Sequence, residues 1–290
     1  MKSRLVKALK RRIAYPTLSK WHPSVEVKTD SARLKVDLRD HVIARFLYLD
    51  GVYEPEFQQL FRLMGLDGAV CVDIGANLGL HTVELGARAG ARGRVYAFEP
   101  SRHNFGLLQE NIALNGLNNV TAVHAALSDR EGTARLRLSA TNFGDHQVAT
   151  AGTGGAYEEI KLTTGDAALA GESEGRVKLI KIDVQGHEYQ VMQGLTKTLA
   201  RNRDVFVMME VAPGPLKNAG SSGEQLMRWM SDQGFHGWEF HPHRILPVSS
   251  PWAYDLIDVT KDVNVLFCRD REKLLRLLET WRGCQIPRSG

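Results

Sequence analysis

The sequence of 290 residues has little cysteine and no long apolar run, and each shortage excludes a class of protein. The three cysteines, Cys71, Cys268 and Cys284, are odd in number and far apart, which argues against a disulfide framework or a cysteine-rich zinc site. No stretch approaches the ~18 consecutive apolar residues of a transmembrane helix. Residues 1–15 lack the apolar centre of a signal peptide. These shortages predict a soluble, cytoplasmic protein.

Acidic residues are missing from the first 21 residues, which contain seven Lys or Arg. The formal net charge is +4, yet the rest of the chain has 30 basic and 33 acidic residues and is net −3. This body has no charge signature of nucleic-acid binding. Leu5, Leu9 and Ile13 recur every four residues among the basic ones. They fit a basic amphipathic helix for weak contact with a membrane surface or an acidic partner, or a solvated terminal helix.

The dinucleotide-binding pattern Gly-x-Gly-x-x-Gly is also missing. In its place, an apolar run from Val70 to Ile74 leads into Gly75 and Gly79, and a helical pattern follows. Glycines let the backbone turn tightly and approach a ligand, which would then meet the free N–H groups of the next helix. The Gly-x-x-x-Gly spacing after Asp73 favours a cofactor that has no pyrophosphate.

Alternating strand and helix patterns begin at residue 69 and predict an α/β fold with a mostly parallel, doubly wound sheet. In chain order, we predict strands at 69–74, 94–98, 120–127, 134–138, 177–184, 205–211, 235–240 and 263–268, and helices at 77–89, 101–115, 188–200, 223–233 and 271–282.

The chain before this domain reads as a small cap. We predict strands at 25–28, 32–37 and 42–49, and a helix whose first turn contains Pro55. The predicted organisation is a basic segment at 1–21, the cap at 22–68, the α/β domain at 69–282 and a tail at 283–290. The glycine-rich stretch 142–156 fits a functional lid and a variable surface insertion equally well.

Carboxylates lie at the carboxyl ends of four of the predicted parallel strands, namely Asp73, Glu99, Asp183 and Glu210. Ligands of open parallel sheets bind beyond these strand ends. Glu99 comes twenty residues after Gly79, where a carboxylate that grips the two hydroxyls of a ribose is expected.

Two polar residues of the glycine turn have a structural and a ligand-binding interpretation. Asp73 either receives an ammonium group of an amino-acid-like ligand or bonds the amides of the turn, and both roles can coexist. Asn77 caps the following helix and can also contact the ligand.

Several motifs resemble a known family. The segments Asp73-Ile-Gly-Ala-Asn-Leu-Gly79 and Val95-Tyr-Ala-Phe-Glu-Pro100 resemble S-adenosylmethionine-dependent methyltransferases of the Rossmann-like type. The segment Lys181-Ile-Asp-Val-Gln-Gly-His-Glu188 narrows the resemblance to the FkbM-type methyltransferases. Tyr53-Glu54 and Glu210-Val211 fit the same family.

The resemblance covers about residues 40–270 and implies a seven-stranded Rossmann-like methyltransferase domain with S-adenosylmethionine as cofactor. It implies methylation of a hydroxyl on a sugar, a polyketide or another natural-product small molecule. The sequence departs from the family pattern at Gln185, where the usual residue is Glu, and at Gly165, where it is Leu. The first change removes one possible carboxylate from the site.

The resemblance also implies roles for individual residues. His187, at the predicted start of a helix, is the candidate base, because the positive helix end favours a neutral imidazole. Its replacement by alanine is expected to abolish turnover and spare cofactor binding. Asp183 orients His187, accepts the proton itself or contacts the amino-acid end of the cofactor. Glu210, the third predicted catalytic residue, could bind the acceptor. These three residues could also hold a divalent cation. No compact motif requires a metal ion here.

The remaining cofactor contacts are expected from the turn and from the end of the third strand. The predicted cofactor-binding residues are Glu54, Asp73, Gly75, Asn77, Gly79, Glu99, Ser128, Asp129 and Asp183. Ser128 or Asp129 would bond the adenine amine, although an ordinary turn explains them equally well. Around Gly237–His243, Trp238 and its aromatic neighbours either stack on the acceptor or belong to the core.

Other functions remain open. A nucleic-acid or protein methyltransferase would share the fold, but the near-neutral body disfavours it. A non-catalytic module that binds the cofactor, with the basic tail as its working part, is the alternative from another class. A nicotinamide oxidoreductase is disfavoured by the glycine spacing.

Overall fold

The structure is a computed structural model that describes residues 10–149, 154–241, 244–247 and 262–285. A π-helical turn at Lys10–Ala14 precedes the first α-helix. In chain order, the elements are α1 (Tyr15–Trp21), β1 (Ser24–Lys28), β2 (Arg33–Asp37), α2 (Ile43–Asp50), α3 (Pro55–Leu63), β3 (Val70–Ile74), α4 (Leu80–Ala89), β4 (Arg94–Phe98), α5 (Arg102–Leu114), β5 (Val120–Val123), β6 (Ala126–Leu127), β7 (Gly132–Leu138), β8 (Gln147–Val148), β9 (Ala156–Thr163), α6 (Gly165–Ala168), β10 (Val177–Ile182), α7 (Glu188–Gln193), α8 (Thr196–Arg201), β11 (Phe206–Val211), α9 (Pro213–Asn218), α10 (Gly223–Asp232), β12 (His236–His241), β13 (Arg244–Pro247), β14 (Val263–Cys268) and α11 (Arg271–Gln285).

The main sheet has the strand order β13-β12-β14-β11-β10-β3-β4-β5. The five strands from β11 to β5 are parallel, and β12, β13 and β14 are antiparallel to their neighbours. The predicted fold class, a mostly parallel seven-stranded sheet, is confirmed, and the short β13 extends it at one edge.

The central strands are apolar throughout because both faces of the sheet are covered. All five residues of β3 are buried. Val70, Val72 and Ile74 point into one core, and Cys71 points into the other. The second core includes Trp281 of α11, which is fully buried. This packing holds the carboxyl end of β3 rigidly at the middle of the sheet.

The chain winds from β3 outward to β5 and then returns to β10 on the other side of β3. Such a reversal leaves a crevice beyond the carboxyl ends of the two strands. The predicted site residues therefore meet at the gap between β3 and β10.

The cap is attached to the domain through the helix α5. Asn111 Oδ1 accepts a hydrogen bond from the Lys35 N–H at 2.6 Å, and Asn115 Oδ1 accepts one from the Arg33 N–H at 3.0 Å. The two asparagines lie one helical turn apart, so they bond alternate residues of β2. The edge of the β1–β2 hairpin is thereby held against α5.

The predicted strand at 42–49 is wrong, because this segment forms the helix α2. Asp40 explains the difference, since its Oδ1 accepts from the Val42 N–H at 3.0 Å and its Oδ2 from the Ala44 N–H at 2.9 Å. The helix buries Ala44 and Leu47 and ends at the left-handed Gly51. The capping carboxylate and the buried face outweigh the strand preference of the aromatic and β-branched residues.

The predicted strand at 120–127 is divided between two sheets. Its first half, β5, pairs with β4 in the main sheet. Its second half, β6, pairs with β9 in a separate four-stranded sheet of order β6-β9-β7-β8. The second sheet also contains part of the glycine-rich stretch predicted as a loop, because β8 lies within it. Residues 150–153 of that stretch lie outside the described residues.

The predicted helix at 188–200 is also divided, into α7 and α8, with Gly194 between them. A Cβ at Gly194 would lie 2.0 Å from the Ser128 carbonyl oxygen. The chain after β6 therefore passes close to this glycine, at a distance that no other residue type allows.

The basic N-terminal segment is described only from residue 10 onward, so Leu5 and Leu9 lie outside the described residues. Tyr15 and Leu18 of α1 pack on the cap, and Ile13 is exposed. Within the described ranges, no helix is long and apolar enough to cross a membrane.

Candidate active site

A cleft of about 840 Å³ opens at the gap between β3 and β10. Residues of the glycine turn, the cap, the second sheet and the loop after β10 line it. The lining includes Tyr53, Glu54, Gly75, Asn77, His81, Glu99, Asn104, Ala126, Leu127, Leu136, Phe143, His146, Val148, Lys181, Asp183, Gln185 and His187.

Gly75 brings the loops after β3 and β10 into contact. Its φ is +77°, and a Cβ there would lie 1.8 Å from the Asp183 carbonyl oxygen. Gly79 also has a positive φ, +91°, and precedes α4 as its N-cap. A side chain on Gly75 would therefore both strain the turn and push Asp183 away. Both glycines thus allow the tight turn of the backbone, and their contact with a cofactor stays a prediction.

Glu99 organises the turn from the neighbouring strand. Its Oε2 accepts from the Asn77 N–H at 2.8 Å, and its Oε1 accepts from the Ser101 N–H at 2.9 Å. Each oxygen of an ionised carboxylate has a further lone pair that can accept a hydroxyl proton. Burial is the main cause that raises the pKa of Glu99 to about 7. The geometry suits a ligand with two adjacent hydroxyls.

Asp73 lies beneath the cleft and is fully buried. Its Oδ2 accepts from the Thr82 hydroxyl at 2.5 Å, and its Oδ1 is 3.4 Å from Lys181 Nζ. Lys181 lines the cleft, and its Nζ is also 3.6 Å from Asp183 Oδ2. Burial opposes the charge of this lysine, but Asp73 and Asp183 together hold its pKa above the usual value. Sequence reasoning did not assign a role to Lys181.

Gln185 joins the two predicted catalytic carboxylates. Its Nε2 donates to Asp183 Oδ1 at 2.8 Å and to Glu210 Oε2 at 2.7 Å. Burial, followed by the negative charge of Asp183, raises the pKa of Glu210 well above its usual range. Glu210 therefore favours its protonated form beside Asp183. The amide at position 185 is a donor, so it holds both carboxylates where the usual glutamate would repel them.

Glu54 approaches the same end of the cleft from the cap. Its Oε2 is 2.8 Å from His81 Nε2 on α4. Tyr53 also lines the cleft, and burial, reinforced by the charge of Glu54, raises the pKa of its phenol. No group of three or more His, Cys, Asp or Glu side chains in the described part of the chain could hold a metal ion.

His187 lies at the other end of the cleft, near the end of β6. Its Nε2 is 3.0 Å from Ser128 Oγ, and that hydroxyl lies 3.0 Å from Asp129 Oδ1. Burial lowers the pKa of His187 to about 4, so the imidazole is neutral near pH 7. The structure thus groups His187 with the two residues predicted to contact adenine, and groups Asp183 with Glu210.

The non-glycine residues with a positive φ are clustered at this site. Among the described residues they are Glu54 (+48°), Asn77 (+51°) and Gln185 (+53°), and all three line the cleft. Left-handed backbone at such residues is uncommon and is often found at functional sites. Glutamine and glutamate are not residue types that predict a left-handed backbone, so the sequence does not reveal this conformation at Gln185 and Glu54.

Of the two roles considered for Trp238, stacking on the acceptor and packing in the core, the structure shows the second. Trp238 is 8% exposed and packs in the apolar cluster that contains Phe206 and Trp281. His243 lies outside the described residues.

Comparison with known proteins assigns the chain to a family. Residues 73–236, more than half of the chain, match the methyltransferase FkbM domain. The chain belongs to this family. The match spans the glycine turn, Glu99, the second sheet and the Lys181–Glu188 segment, which build the cleft together with the cap.

Two curated relatives are methyltransferases. The hexuronic acid methyltransferase AglP of Haloferax volcanii is 31% identical over 144 residues, which are 49% of this chain and 55% of that protein. The methyltransferase sdnD of Sordaria araneosa is 27% identical over 154 residues, covering 43% of this chain and 59% of that protein. The chain thus spans little more than half the length of either relative.

Among solved structures, the methyltransferase FkbM from Methylobacillus flagellatus KT has a TM-score of 0.45 and 15% identity, and the match covers 90% of this chain and 60% of that one. A putative methyltransferase from Streptococcus mutans in complex with SAH has a TM-score of 0.44 and 13% identity, covering 74% and 97%.

The FkbM domain match confirms the predicted family. The activity of the whole protein, its cofactor and the roles of individual residues stay predictions.

A Glu99→Gln variant of this FkbM-family chain is expected to bind S-adenosylhomocysteine about 10- to 100-fold more weakly, because hydrogen bonds to a charged acceptor are lost. Ionised Glu99 accepts hydroxyl protons better than the neutral acid, so binding releases a proton. With the pKa of Glu99 near 7, wild-type affinity should rise as the pH increases through 7 and then level off. Isothermal titration calorimetry across this range tests both effects.

The matched control is Glu188→Gln. Burial also raises the pKa of Glu188 to about 7, but its Oε1 accepts from the Gly186 N–H and it does not line the cleft. This variant should keep the rise in affinity with pH. A flat profile in both variants would contradict the role of Glu99.

Proposed function

We propose that this chain is an S-adenosylmethionine-dependent O-methyltransferase that acts on a hydroxyl of a sugar or of another natural-product small molecule. One observation carries the proposal. Glu99, which suits ribose hydroxyls, lines one side of the cleft, and Asp183 and Gln185, which suit proton transfer, line another. Glu210 joins this second group through its hydrogen bond from the Gln185 amide. The second group is therefore available to an acceptor when Glu99 holds the cofactor.

S-adenosylmethionine supplies a methyl group bound to a positively charged sulfur. A sugar hydroxyl is a poor nucleophile near neutral pH, so a positioned base assists its attack. We assign this role to Asp183, whose side chain is 31% exposed at the cleft. As the acceptor oxygen forms its bond to the methyl carbon, its proton passes to the Asp183 carboxylate, and the electrons of the broken carbon–sulfur bond remain on sulfur.

The neighbours of Asp183 position this carboxylate. Lys181 Nζ lies 3.6 Å from its Oδ2, and the Gln185 amide donates to its Oδ1 at 2.8 Å, so both contacts fix its orientation. Glu210 keeps a proton close by, which avoids a second negative charge at the same place.

His187 is the less suitable base, because its Nε2 is already bonded to Ser128. We assign His187, Ser128 and Asp129 to the adenine end. Ala126 and Leu127 line the cleft beside them and offer apolar contact to a ring.

The test is transfer of tritium-labelled methyl from S-adenosylmethionine to metabolite, glycan, protein and nucleic-acid fractions from a strain that lacks the gene. Label in the small-molecule or glycan fraction, stable to proteases and nucleases, is the expected result. Label in protein or nucleic acid would contradict the proposal. Cofactor binding with no transfer to any fraction would favour the non-catalytic module.

A further inference from the structure

A second groove of about 660 Å³ lies next to the cleft. The two share Gln185 and Val148, so they meet beside the amide that bonds Asp183 and Glu210. The groove is lined further by Arg137 and Gln147 of the second sheet and by Pro215 and Asn218 of α9. An acceptor lying in this groove would reach the proposed base without crossing the cofactor end.

The lining of the groove is suited to a polar, hydroxylated molecule. Gln147 and Asn218 offer amide donors and acceptors, and Pro215 and Val148 offer apolar contact. Gln147 is held from both sides, since its Oε1 accepts from Arg137 Nη2 at 2.9 Å and its Nε2 donates to Asp145 Oδ1 at 2.8 Å.

Carboxyl groups lie where the cleft meets the groove. Gln185, which both cavities share, bonds Asp183 and Glu210, and Glu54 lines the cleft. The cation of the cleft, Lys181, is already paired with Asp73 and Asp183. In the groove, the charged lining residue is Arg137. Within the described ranges, the guanidinium of Arg137 is bonded to the neutral Gln147 and forms no ion pair with a carboxylate.

We propose that this groove binds the acceptor and that the acceptor is a sugar with an anionic group, a carboxylate or a phosphate, which pairs with Arg137. Arginine suits both anions because its planar fork donates two parallel hydrogen bonds. The carboxylates at the reacting end repel the anion, so a neutral hydroxyl of the same sugar faces Asp183. The inference rests on the proposed function and adds the substrate class and its orientation.

This orientation determines the product. The anionic group lies at Arg137, away from the transferred methyl, so a hydroxyl oxygen and not a carboxylate oxygen forms the new bond. The product is a methyl ether, which alkali does not cleave, whereas a methyl ester would be hydrolysed.

The experiment uses the full chain, S-adenosylmethionine with a labelled methyl group, and three matched probes: glucuronic acid, glucose 6-phosphate and glucose. Binding of each probe is measured in the presence of S-adenosylhomocysteine, and kcat/KM is measured separately. We expect at least one anionic sugar to be preferred over glucose by about 10- to 100-fold, the range of a charged hydrogen-bonded pair. The two anionic probes distinguish a carboxylate from a phosphate ligand.

Arg137→Gln should remove this preference, and Arg137→Lys should restore part of it, with S-adenosylhomocysteine binding unchanged in both variants. The matched control is Arg135→Gln, two residues earlier on β7, where the guanidinium stacks 4.1 Å from the Tyr157 ring centroid and does not line the groove. The control should keep the wild-type preference.

The outcomes separate the inference from the proposed function. Equal kcat/KM for the anionic sugars and glucose, or an unchanged preference in Arg137→Gln, would overturn the inference and leave the proposed function standing. An alkali-labile product would overturn it as well. Anion-dependent binding without turnover would support the groove and contradict the O-methyltransferase. Failure of every probe to bind would overturn the inference.

Discussion

Replacing Asp183 with asparagine should lower kcat for methyl transfer by about 10²–10⁴-fold, the usual contribution of a positioned base. The amide keeps the size of the side chain but cannot take the proton of the acceptor hydroxyl. Single-turnover measurements with saturating cofactor isolate the chemical step.

Three further variants give this prediction its controls. Asp50→Asn removes a carboxylate of similar exposure, 27%, that lies outside the cleft lining, and should leave kcat unchanged. Glu210→Gln should be milder than Asp183→Asn, because protonated Glu210 and glutamine are both donors. His187→Ala should lower the affinity for the cofactor by a larger factor than it lowers kcat. Abolished turnover with intact cofactor binding in His187→Ala would instead identify the histidine as the base.

Replacing Lys181 with methionine should lower the free energy of unfolding by about 3–5 kcal/mol, because it leaves Asp73 buried without its ionic partner. Asp73 is 0% and Lys181 4% exposed at the side chain, so water cannot replace the lost ammonium group. Thr82 alone would then face the carboxylate. Urea unfolding followed by circular dichroism measures the change.

The chain offers a control on the same strand. Lys178 and Asp204 are 3.9 Å apart and are 41% and 68% exposed, so Lys178→Met should change stability by less than about 0.5 kcal/mol. The double variant Lys181→Met/Asp73→Asn should recover much of the loss, since no buried charge is left unpaired. Equal losses of unfolding free energy in Lys181→Met and Lys178→Met would contradict the stabilising role of the buried Lys181–Asp73 pair.

The sequence was sufficient to predict the sheet and the glycine turn, because those signals are local. Val70–Ile74 is apolar without interruption, since both faces of β3 are covered, and Gly75 and Gly79 occupy backbone conformations that favour glycine. Glu99 follows from the spacing between that turn and the next strand. Each of these features depends on residues within about one strand–helix unit.

The parts that sequence reasoning missed depend on partners distant in the chain. The strand β9 is stabilised by pairing with β7 and β6, and that second sheet explains why the predicted strand at 120–127 is divided into β5 and β6. Lys181 lies in an apolar strand, and only its closeness to Asp73, more than one hundred residues earlier, gives it a role. The sequence indicates only that Gln185 removes a carboxylate from the site. In the structure, its amide bonds Asp183 and Glu210, two carboxyl groups that the sequence does not place together.

The left-handed backbone at Glu54, Asn77 and Gln185 has a consequence for any attempt to make this protein withstand heat. A residue with a Cβ atom costs about 1–2 kcal/mol in this conformation, and glycine avoids that cost. Glycine would, however, lose more conformational entropy on folding and would remove a side chain that shapes the cleft. At position 185 it would also remove the amide that bonds Asp183 and Glu210. Substitutions at these three positions would alter the catalytic cleft, so variants with a higher melting temperature should be sought elsewhere in the chain.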